Sequence, residues 1–406
     1  MGKTLSMYFD GWGMSDIAQL YVCDEVPNDD STCVNYYRVT DKEALFSIVK
    51  RNSGRRFSKL DIDKNLKDVR KTTGVTYNIS QKARKRTAKV YLARNLLWRL
   101  AKWDTKKLWQ WVDDFDPEAI FLASGDYSFI YNIALKIAKR KNVPLYVSCV
   151  DDFYLYNKNE GSLLGRWHHK LFMKRVKKTM EYATAIFTIC DKMSNDYSKF
   201  FNKPCYTLHT GSEIEKPFDE PKTNKISYLG NVSNKRFEQL IEIGKTLMKS
   251  SIQDRPQYID VYSAETRPEI IQHLTKDNGI NFCGKIDAEQ VKKVIAESML
   301  LIHTESFDEK MKKTVAYSVS TKIADSLSSG TCLLAYGPEG IASMDYLIEN
   351  QVAFCVTKKK DLPNKLDEII GDKNLQAEIV RRALLLAAKN HKLDKNTNLI
   401  KQVLGE

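Results

Sequence analysis

The sequence lacks any run of about 18 apolar residues, so it predicts no transmembrane helix. It also lacks a C-x-x-C pair: its 8 cysteines are scattered, which argues against a structural zinc site. Four cysteines fall inside apolar runs, where we expect reduced, buried thiols: Cys149, Cys190, Cys283 and Cys332. The N-terminus has one early lysine before Asp10, which is typical of a first strand rather than of a signal peptide. These absences together predict a cytoplasmic protein.

The composition is that of an ordinary globular protein, but its charge is unevenly distributed. Of 406 residues, 43% are apolar and 28% are charged, which suits about two domains. The formal net charge is +13, and residues 1–206 hold 36 of the 64 Lys and Arg but 23 of the 51 Asp and Glu, so the rest of the chain is neutral. A one-sided basic field indicates an anionic partner, such as acidic phospholipid, a polyprenyl phosphate or nucleic acid.

The segment from Val90 to Trp103 combines cations with leucine and tryptophan. As a helix it has an apolar stripe that includes Leu92, Leu96, Leu97 and Leu100. Two interpretations stay open: the helix lies on an anionic membrane surface, or its stripe packs on a sheet while the charges face solvent. No recognised nucleic-acid-binding module accompanies the basic clusters 51–56 and 81–89, so we do not expect a nucleic-acid partner.

From Ala119 onward, short apolar runs alternate with helical patterns, which predicts parallel sheets with right-handed crossovers. The N-terminus is predicted to open in the same way, with a strand at Lys3–Phe9, a glycine loop and a helix at Ile17–Val22. Gly13 in that loop is either a close backbone contact for a ligand or part of a plain tight turn.

The polar stretch at 207–225 has the composition of an interdomain linker, with two prolines and a glycine. We therefore predict an α/β protein with two Rossmann-like, doubly wound parallel-sheet domains that face each other across a cleft. The first, at 1–206, would bind the acceptor, and the second, at 226–385, a nucleotide-sugar donor. A C-terminal helix at 386–406 is expected to pack back on the first domain.

Polar residues at the C-terminal ends of strands are candidate ligand contacts in such folds. In the first half, Asp126 follows the strand at 119–124 and Asp152 follows the strand at 144–150. Either carboxylate would suit hydrogen bonding to acceptor hydroxyls, or the work of a general base. A capping role in the following segment is the alternative for Asp152, together with its neighbour Asp151.

The most informative stretch runs from Ser320 to Tyr336 and predicts a capped helix, a glycine stop and a buried strand. Ser320 or Thr321 would cap the helix, and Gly330 would end it. Free N–H groups and the helix dipole favour an anion at such an N-terminus, and Lys322 adds a positive charge there. The pattern therefore predicts a diphosphate site.

Four segments resemble, in the right order, the donor-binding domain of GT-B glycosyltransferases, in particular the large retaining family 4. They are Tyr228–Arg236, with a glycine and a basic loop; Ile280–Ile286, with an F-x-G turn; His303–Phe307, similar to the start of the E-x7-E motif; and Ser320–Pro338. The resemblance implies a retaining glycosyltransferase (hexosyltransferase type) of surface polysaccharide or glycoconjugate assembly. It would use a nucleotide sugar and a glycan or polyprenyl-linked acceptor, partly attached to the inner face of a membrane.

The resemblance implies three groups of donor contacts. For the diphosphate they are Asn231, Lys235, Arg236, Ser320, Thr321 and Lys322, to which the first glycine loop adds Gly13. For the donor sugar and the ribose they are Glu305, Ser306, Phe307 and Asp325. For the base they are Gly284, Lys285 and Ile286. The catalytic candidates are Asp126, Asp152 and Glu305.

We expect no cofactor and no metal, because two cations suffice to hold the diphosphate and no D-x-D motif stands at a strand end. Asp61 and Asp63 fit that motif in letters, but they lie in a basic stretch with no sheet pattern.

The sequence also departs from the family pattern. Asn231 stands where the family has arginine, and Glu305 and Asp325 are 20 positions apart instead of eight. The segment Glu309–Ser320 therefore looks inserted, and we expect part of it, Lys310–Lys313, to form a mobile basic flap. The family histidine of the acceptor domain is absent, with Gly125 and Asp126 in its place. A nucleotide-sugar epimerase of the same architecture and a non-catalytic partner subunit stay open as alternatives.

Overall fold

The computed structural model describes residues 7–23, 32–50, 53–57, 87–155, 162–218 and 222–405. The chain divides into two compact units, Met1–Leu208 with Asn396–Glu406, and His209–Lys395. The Asp61 and Asp63 pair and most of the basic cluster at 81–89 lie outside the described residues. Within the described part of the chain, no helix is long and apolar enough to cross a membrane.

The first unit contains two sheets. A three-stranded sheet has the order β1 (Ala18–Tyr21), β2 (Asn35–Arg38), β3 (Arg55–Phe57), with β1 and β2 parallel and β3 antiparallel. An all-parallel sheet has the order β4 (Ile120–Ala123), β5 (Leu145–Cys149), β6 (Ala185–Thr188), β7 (Cys205–Thr207). The second sheet confirms the strands predicted from Ala119 onward.

The helices of the first unit cover these sheets. They are α1 (Asp41–Lys50), α2 (Ala88–Leu100), α3 (Lys106–Phe115), α4 (Ser128–Lys141), α5 (Leu163–Tyr182) and α6 (Asp191–Phe201). The last helix of the chain begins in the second unit and ends in the first. In the first unit its Ile400 is buried in a cluster with Tyr8, and Thr397 Oγ1 donates a hydrogen bond to the Tyr8 carbonyl at 3.2 Å.

The predicted opening of the chain is wrong in its secondary structure. Ile17–Val22 is not a helix, because Ala18–Tyr21 forms strand β1 beside β2. Of the predicted strand Lys3–Phe9, Met7 and Tyr8 are helical, and residues 3–6 lie outside the described residues. A short apolar run has no periodicity that separates strand from helix, so pairing with a distant strand decides its conformation.

The leucine stripe predicted for Val90–Trp103 does not pack inward as a whole. Leu96 and Leu100 are exposed, whereas the buried face of α2 carries Tyr91 and Trp98. Trp98 stacks on Phe129 with ring centroids 4.3 Å apart. The larger aromatic side chains bury more surface than leucine and so set which face turns inward.

The cysteine expectations hold for three of the four residues. Cys149, Cys190 and Cys332 are buried free thiols. Cys283 is exposed instead, because it lies in the strand Ile280–Gly284 at the edge of its sheet.

The second unit is built on one parallel sheet. Its strands are β8 (Thr223–Leu229), β9 (Ile259–Tyr262), β10 (Ile280–Gly284), β11 (Ser298–Thr304), β12 (Cys332–Tyr336) and β13 (Phe354–Val356). Their order is β10-β9-β8-β11-β12-β13, which is the 3-2-1-4-5-6 order of a Rossmann sheet. The strand order therefore reverses between β8 and β11, where such sheets bind their ligands.

The helices of the second unit lie between these strands and after the last of them. They are α7 (Arg236–Lys249), α8 (Pro268–Ile271), α9 (Ala288–Glu297), α10 (Glu309–Thr314), α11 (Thr321–Ser328), α12 (Ala342–Asn350), α13 (Leu362–Gly371) and α14 (Lys373–Asn390), followed by the shared helix α15 (Leu393–Leu404). Helix α14 runs without interruption past residue 385, where we predicted the end of the domain.

His391 holds the start of the second unit against its C-terminal end. Its Nδ1 donates to the Thr210 carbonyl at 2.7 Å, which leaves Nε2 as the acceptor for the Tyr346 hydroxyl at 2.9 Å. The Ser212 amide donates to the His391 carbonyl at 2.8 Å. Burial lowers the pKa of His391 to about 4, so the folded protein keeps this imidazole neutral.

We expect this neutral histidine to make stability depend on pH. Because its folded pKa lies below the unfolded value of about 6.5, its contribution is present above that pH and is lost as pH falls towards 4. Lowering the pH from 7.5 to 5 should cost roughly 2 kcal/mol of unfolding free energy through this group. Urea unfolding of the wild type and of His391→Gln at both pH values measures the difference. The exposed His273 gives the control His273→Gln, and equal pH dependence in all three proteins would refute the assignment.

Candidate functional site

The loops that follow β8 and β11 meet at the point where the strand order reverses. The loop after β8 runs from Gly230 to Lys235 and leads into α7, while the loop after β11 begins at Glu305. Parallel strands end at the same edge of a sheet, so this crevice collects the polar residues of both loops. It is the candidate site.

Arg236 and Glu305 form a buried ion pair in this crevice. The Arg236 Nε lies 3.0 Å from Glu305 Oε2, and its Nη2 lies 2.6 Å from Oε1, so the contact is bidentate. The Glu305 side chain is 1% exposed. Burial raises the pKa of Glu305, and the Arg236 guanidinium offsets part of this rise. From the sequence we predicted that Arg236 contacts the diphosphate and Glu305 the donor sugar. The structure brings the two side chains into direct contact.

The backbone positions both members of the pair. Arg236 is the first residue of α7, and it follows Asn234 and Lys235, which both have positive φ. The Glu305 amide donates to the Tyr336 carbonyl at 3.0 Å, which continues the β11–β12 ladder by one residue. A Cβ at Gly337 would lie 3.0 Å from the Glu305 carbonyl oxygen, so only glycine fits beside Glu305 without displacement. Left-handed non-glycine residues carry strain that often marks functional loops.

Asn231 and Ser306 shape these loops from within. The Asn231 Oδ1 accepts a hydrogen bond from the Ser233 amide at 2.7 Å, and the Ser306 Oγ accepts one from the Asp308 amide at 3.2 Å. The Phe307 ring packs on Tyr336 with centroids 5.1 Å apart. Each of these predicted donor contacts therefore has a role in holding a loop.

A second ion pair joins Lys235 to Asp308, the residue just before the segment that looked inserted in the sequence. Lys235 Nζ lies 2.7 Å from Asp308 Oδ2, while Asp308 Oδ1 caps α10 through the amides of Lys310 and Met311. The segment forms the short helix α10 and a turn, and its Ala316 carbonyl accepts a hydrogen bond from the Ala342 amide at 2.8 Å. The predicted basic flap is thus tied at both of its ends.

The predicted capped helix is α11. Ser320 is its N-cap, and the Ser320 Oγ accepts a hydrogen bond from the Lys322 amide at 3.3 Å, while Thr321 is its first residue. Helix α11 connects the end of β11 to the start of β12, so its N-terminus lies at the same edge of the sheet as Glu305. Lys322 Nζ lies 3.9 Å from Asp325 Oδ2.

Asp325 has a structural partner that sequence analysis missed. Its Oδ1 accepts a hydrogen bond from Ser212 Oγ at 3.0 Å, and burial raises the pKa of Asp325. Ser212 belongs to the stretch predicted as a linker. The contact is between residues more than a hundred positions apart, and no local pattern announces it.

The three predicted base contacts are Gly284, which ends β10, and the next two residues, Lys285 and Ile286. Gly284 has a φ of +75°, and a Cβ there would meet nothing within 4 Å, so the space beside it is open. The Gly284 carbonyl accepts a hydrogen bond from the Ser263 amide at 2.9 Å. Lys285 is exposed and Ile286 is half-buried.

Arg267 is a cation of this edge that sequence analysis did not select. It follows β9, between the loops of β8 and β10, and its Nη2 donates to Ser233 Oγ at 2.8 Å. Its guanidinium also makes a bidentate pair with Glu265, at 2.9 and 2.6 Å, and holds the pKa of Glu265 down to about 2. The rule that ligand contacts follow strand ends would have found Arg267, had it been applied to β9.

The candidates of the first unit lie at the ends of β4 and β5. Asp126 Oδ2 accepts a hydrogen bond from the Tyr91 hydroxyl at 2.5 Å. Asp152 Oδ1 accepts three: from the amides of Tyr154 and Leu155 at 3.0 Å, and from the Tyr197 hydroxyl at 2.6 Å. This oxygen of Asp152 therefore caps the segment that follows it, as in the alternative interpretation.

Gly13 also belongs to the first unit and lies in a tight turn. The Asp16 amide donates to the Gly13 carbonyl at 2.9 Å, and a Cβ at Gly13 would collide with the Asp16 carboxylate. Among the described residues, no group of three or more His, Cys, Asp or Glu side chains could hold a metal ion.

The two units and the site at a Rossmann switch point define an α/β protein of the GT-B fold class, as predicted. No family model matches the sequence, and no curated protein matches it. Solved structures match the fold. HepE from Anabaena, in complex with UDP, has a TM-score of 0.57 at 15% identity, over 76% of this chain and 83% of that one.

Two further structures give the same result. WaaG, a glycosyltransferase involved in lipopolysaccharide biosynthesis, has a TM-score of 0.51 at 12% identity, over 71% of this chain and 86% of that one. A variant of S. aureus TarM, in complex with fondaparinux, α-GlcNAc-glycerol and UDP, has a TM-score of 0.55 at 13% identity, over 73% of this chain. The match spans only 58% of the TarM chain. At such identities the likeness establishes the fold.

Proposed function

We propose that the protein is a retaining glycosyltransferase that moves a sugar from a nucleoside-diphosphate sugar to a glycan or polyprenyl-linked acceptor in surface polysaccharide or glycoconjugate assembly. The observation that carries the proposal is the buried pair of Arg236 and Glu305 at the switch point of the Rossmann sheet. The UDP in the structures of HepE and TarM supports a nucleotide ligand for this fold.

The chemistry requires positive charge where the diphosphate leaves. As the bond to the sugar breaks, negative charge grows on the phosphate, and preorganised cations and N–H donors stabilise it. We assign this work to Arg236, to Lys322 and to the positive end of the α11 dipole, because the N-terminus of α11 lies at the same edge. Neither a metal nor a cofactor enters the proposal.

The carboxylates of the site would hold hydroxyl groups. In the structure each cation of the crevice already has a carboxylate partner, Arg236 with Glu305 and Lys235 with Asp308. A diphosphate that binds Arg236 competes with Glu305 and releases this carboxylate for the hydroxyls of the donor sugar. Donor binding would therefore place the cation on the diphosphate and free the carboxylate for the donor sugar in the same step. Asp325 is assigned to the ribose in the same way.

The acceptor belongs to the first unit in this proposal. Asp126 is the preferred contact for an acceptor hydroxyl, because Asp152 Oδ1 already has three donors. The basic charge of the first half favours an acceptor that carries a phosphate. We place the protein in the cytoplasm, at the inner face of a membrane that carries such acceptors.

A thermal-shift series with nucleoside diphosphates and nucleotide sugars tests the donor site. A ligand present at about 100 times its Kd should stabilise the wild type by about 2.7 kcal/mol, because it binds only the folded state. Lys322→Ala should weaken that ligand at least about 10-fold through the loss of one charge-assisted contact.

Lys365→Ala is the matched control, because this lysine lies on α13, where it pairs with Glu368 and covers the Phe354 ring, and it is not among the proposed donor contacts. The proposal fails if no nucleotide ligand shifts the melting temperature, or if Lys322→Ala binds as tightly as the control. Donor turnover at full rate without acceptor would instead indicate a nucleotide-sugar epimerase.

A further inference from the structure

Helix α5 presents an apolar stripe to solvent along its first half. Leu163, Trp167 and Leu171 recur at every fourth position, which places them along one line of the helix, and they are 79%, 54% and 44% exposed. The opposite face is buried in the first unit and includes Gly165, His168, Phe172 and Val176. A line of large apolar side chains in water marks an interaction surface.

The second half of the same line is cationic. Lys174 lies three residues after Leu171 and Lys178 four residues after Lys174, which keeps both on this side of the helix, and Lys170 and Lys177 lie beside them, all four exposed. Helix α5 contains six Lys and Arg against one Glu. One face of the helix therefore passes from apolar to strongly basic along its length.

Neighbouring helices extend the apolar part of this surface. Helix α2 packs against α5, and α1 packs against α2. Their exposed apolar residues are Leu96 and Leu100 in α2, and Leu45, Phe46 and Val49 in α1. Three adjoining helices thus hold eight of the 13 exposed large apolar residues in the described part of the chain. The second unit contributes only Met248 and Leu385 to that set. The exposed apolar residues of the described part of the chain are therefore concentrated in three adjoining helices of one unit.

We propose that α5 is a docking helix that lies on an anionic lipid bilayer. Its Trp167 and two leucines would sit at the boundary between headgroups and acyl chains, where tryptophan and leucine of interfacial helices are favourable. Its lysines would meet the phosphates of acidic lipids, so the charges of helix and bilayer are complementary. The inference rests on the proposed function for its purpose, because a lipid-linked acceptor has to be reached at the bilayer.

Vesicle flotation of the full chain tests the surface. The wild type should float with vesicles of phosphatidylcholine and phosphatidylglycerol, should not float with phosphatidylcholine alone, and should be released by high salt, which screens the lysines. Absence of flotation with the anionic vesicles at low salt would overturn the inference.

Two triple variants separate the apolar and the charged contributions. L163Q/W167Q/L171Q and K174Q/K177Q/K178Q should each weaken vesicle binding at least about 10-fold, since buried apolar area and basic charge both contribute to such binding. The matched control M248Q/L385Q changes two exposed apolar residues of the second unit and should float like the wild type. Binding that survives in both triple variants would contradict the role of α5.

Two further measurements keep the outcome unambiguous. Both triple variants should retain the thermal shift with nucleotide ligands. A variant that no longer floats but keeps the shift has lost only the membrane contact of α5, whereas absence of the shift in the wild type as well would contradict the proposed donor site. Analytical ultracentrifugation reports the other occupant of the surface. A wild-type dimer that the apolar variant converts to monomer, without vesicle binding, would show that a second copy of this chain covers α5 and would overturn the proposal.

Discussion

Arg236→Met is expected to abolish most activity and to destabilise the second unit. The change leaves Glu305 buried without its partner, and removal of one member of a buried ion pair costs about 3–5 kcal/mol. It also removes the cation assigned to the leaving diphosphate, for which losses of about 100-fold or more in rate are usual. Urea unfolding and initial rates of sugar transfer measure the two effects separately.

The double variant Arg236→Met/Glu305→Leu distinguishes a functional pair from a structural one. Because two apolar side chains of similar volume often replace a buried ion pair without loss, stability should return to within about 1–2 kcal/mol of the wild type. Activity should stay lost. Lys225→Gln/Glu297→Gln, at a surface pair of the same unit, should change stability by less than about 1 kcal/mol and leave the rate intact. Recovery of sugar transfer in the Arg236→Met/Glu305→Leu variant would contradict the assignment of Arg236 to the leaving diphosphate.

Gly279→Ala is expected to cost the second unit at least about 3 kcal/mol of unfolding free energy, from left-handed strain together with overpacking. Gly279 precedes β10 with a φ of +74°, and a Cβ there would collide with the backbone of Gly244 in α7. Gly244→Ala would place its own Cβ 2.5 Å from the Asn278 carbonyl oxygen. Neither obstacle is a side chain that could move aside.

Gly284 provides the control for this prediction, because it ends the same strand. It has nearly the same φ, +75°, but a Cβ there meets nothing within 4 Å. Gly284→Ala should therefore cost only the conformational strain, about 1–2 kcal/mol. Equal unfolding midpoints of Gly279→Ala and Gly284→Ala in urea would show that the close approach of Gly279 to α7 adds nothing to the cost of the substitution.

The secondary structure of the second unit could be predicted closely from local patterns. Helix α11 begins at Thr321 after its Ser320 cap, and the buried strand β12 ends at Tyr336, as the stretch from Ser320 to Tyr336 predicted. In a parallel sheet the strands are buried on both faces, so they stand out as apolar runs between amphipathic helices. The N-terminal strand β1 has no such contrast, since all four of its residues are half-buried, and its interpretation as a helix was wrong.

The candidate site could be predicted only where one local motif contains it. Ser320, Thr321 and Lys322 are neighbours in sequence, and the helix cap brings them together in the structure. The contact of Ser212 with Asp325 and that of Arg267 with Ser233 join separate elements. Such pairs depend on how the loops after different strands meet in the folded protein. The sequence around each residue does not indicate which partner it will contact.

The linear sequence by itself determined the fold class, because the alternation of apolar runs with helical periodicity admits few arrangements other than parallel sheets. It also determined the basic character of the first half and the capped helix at Ser320. Only the tertiary structure decided that Arg236 pairs with Glu305 and that α5 leaves Trp167 in solvent. Helical and strand periods follow from neighbouring residues, whereas burial and ion pairing depend on residues that the folded backbone brings close from far along the chain.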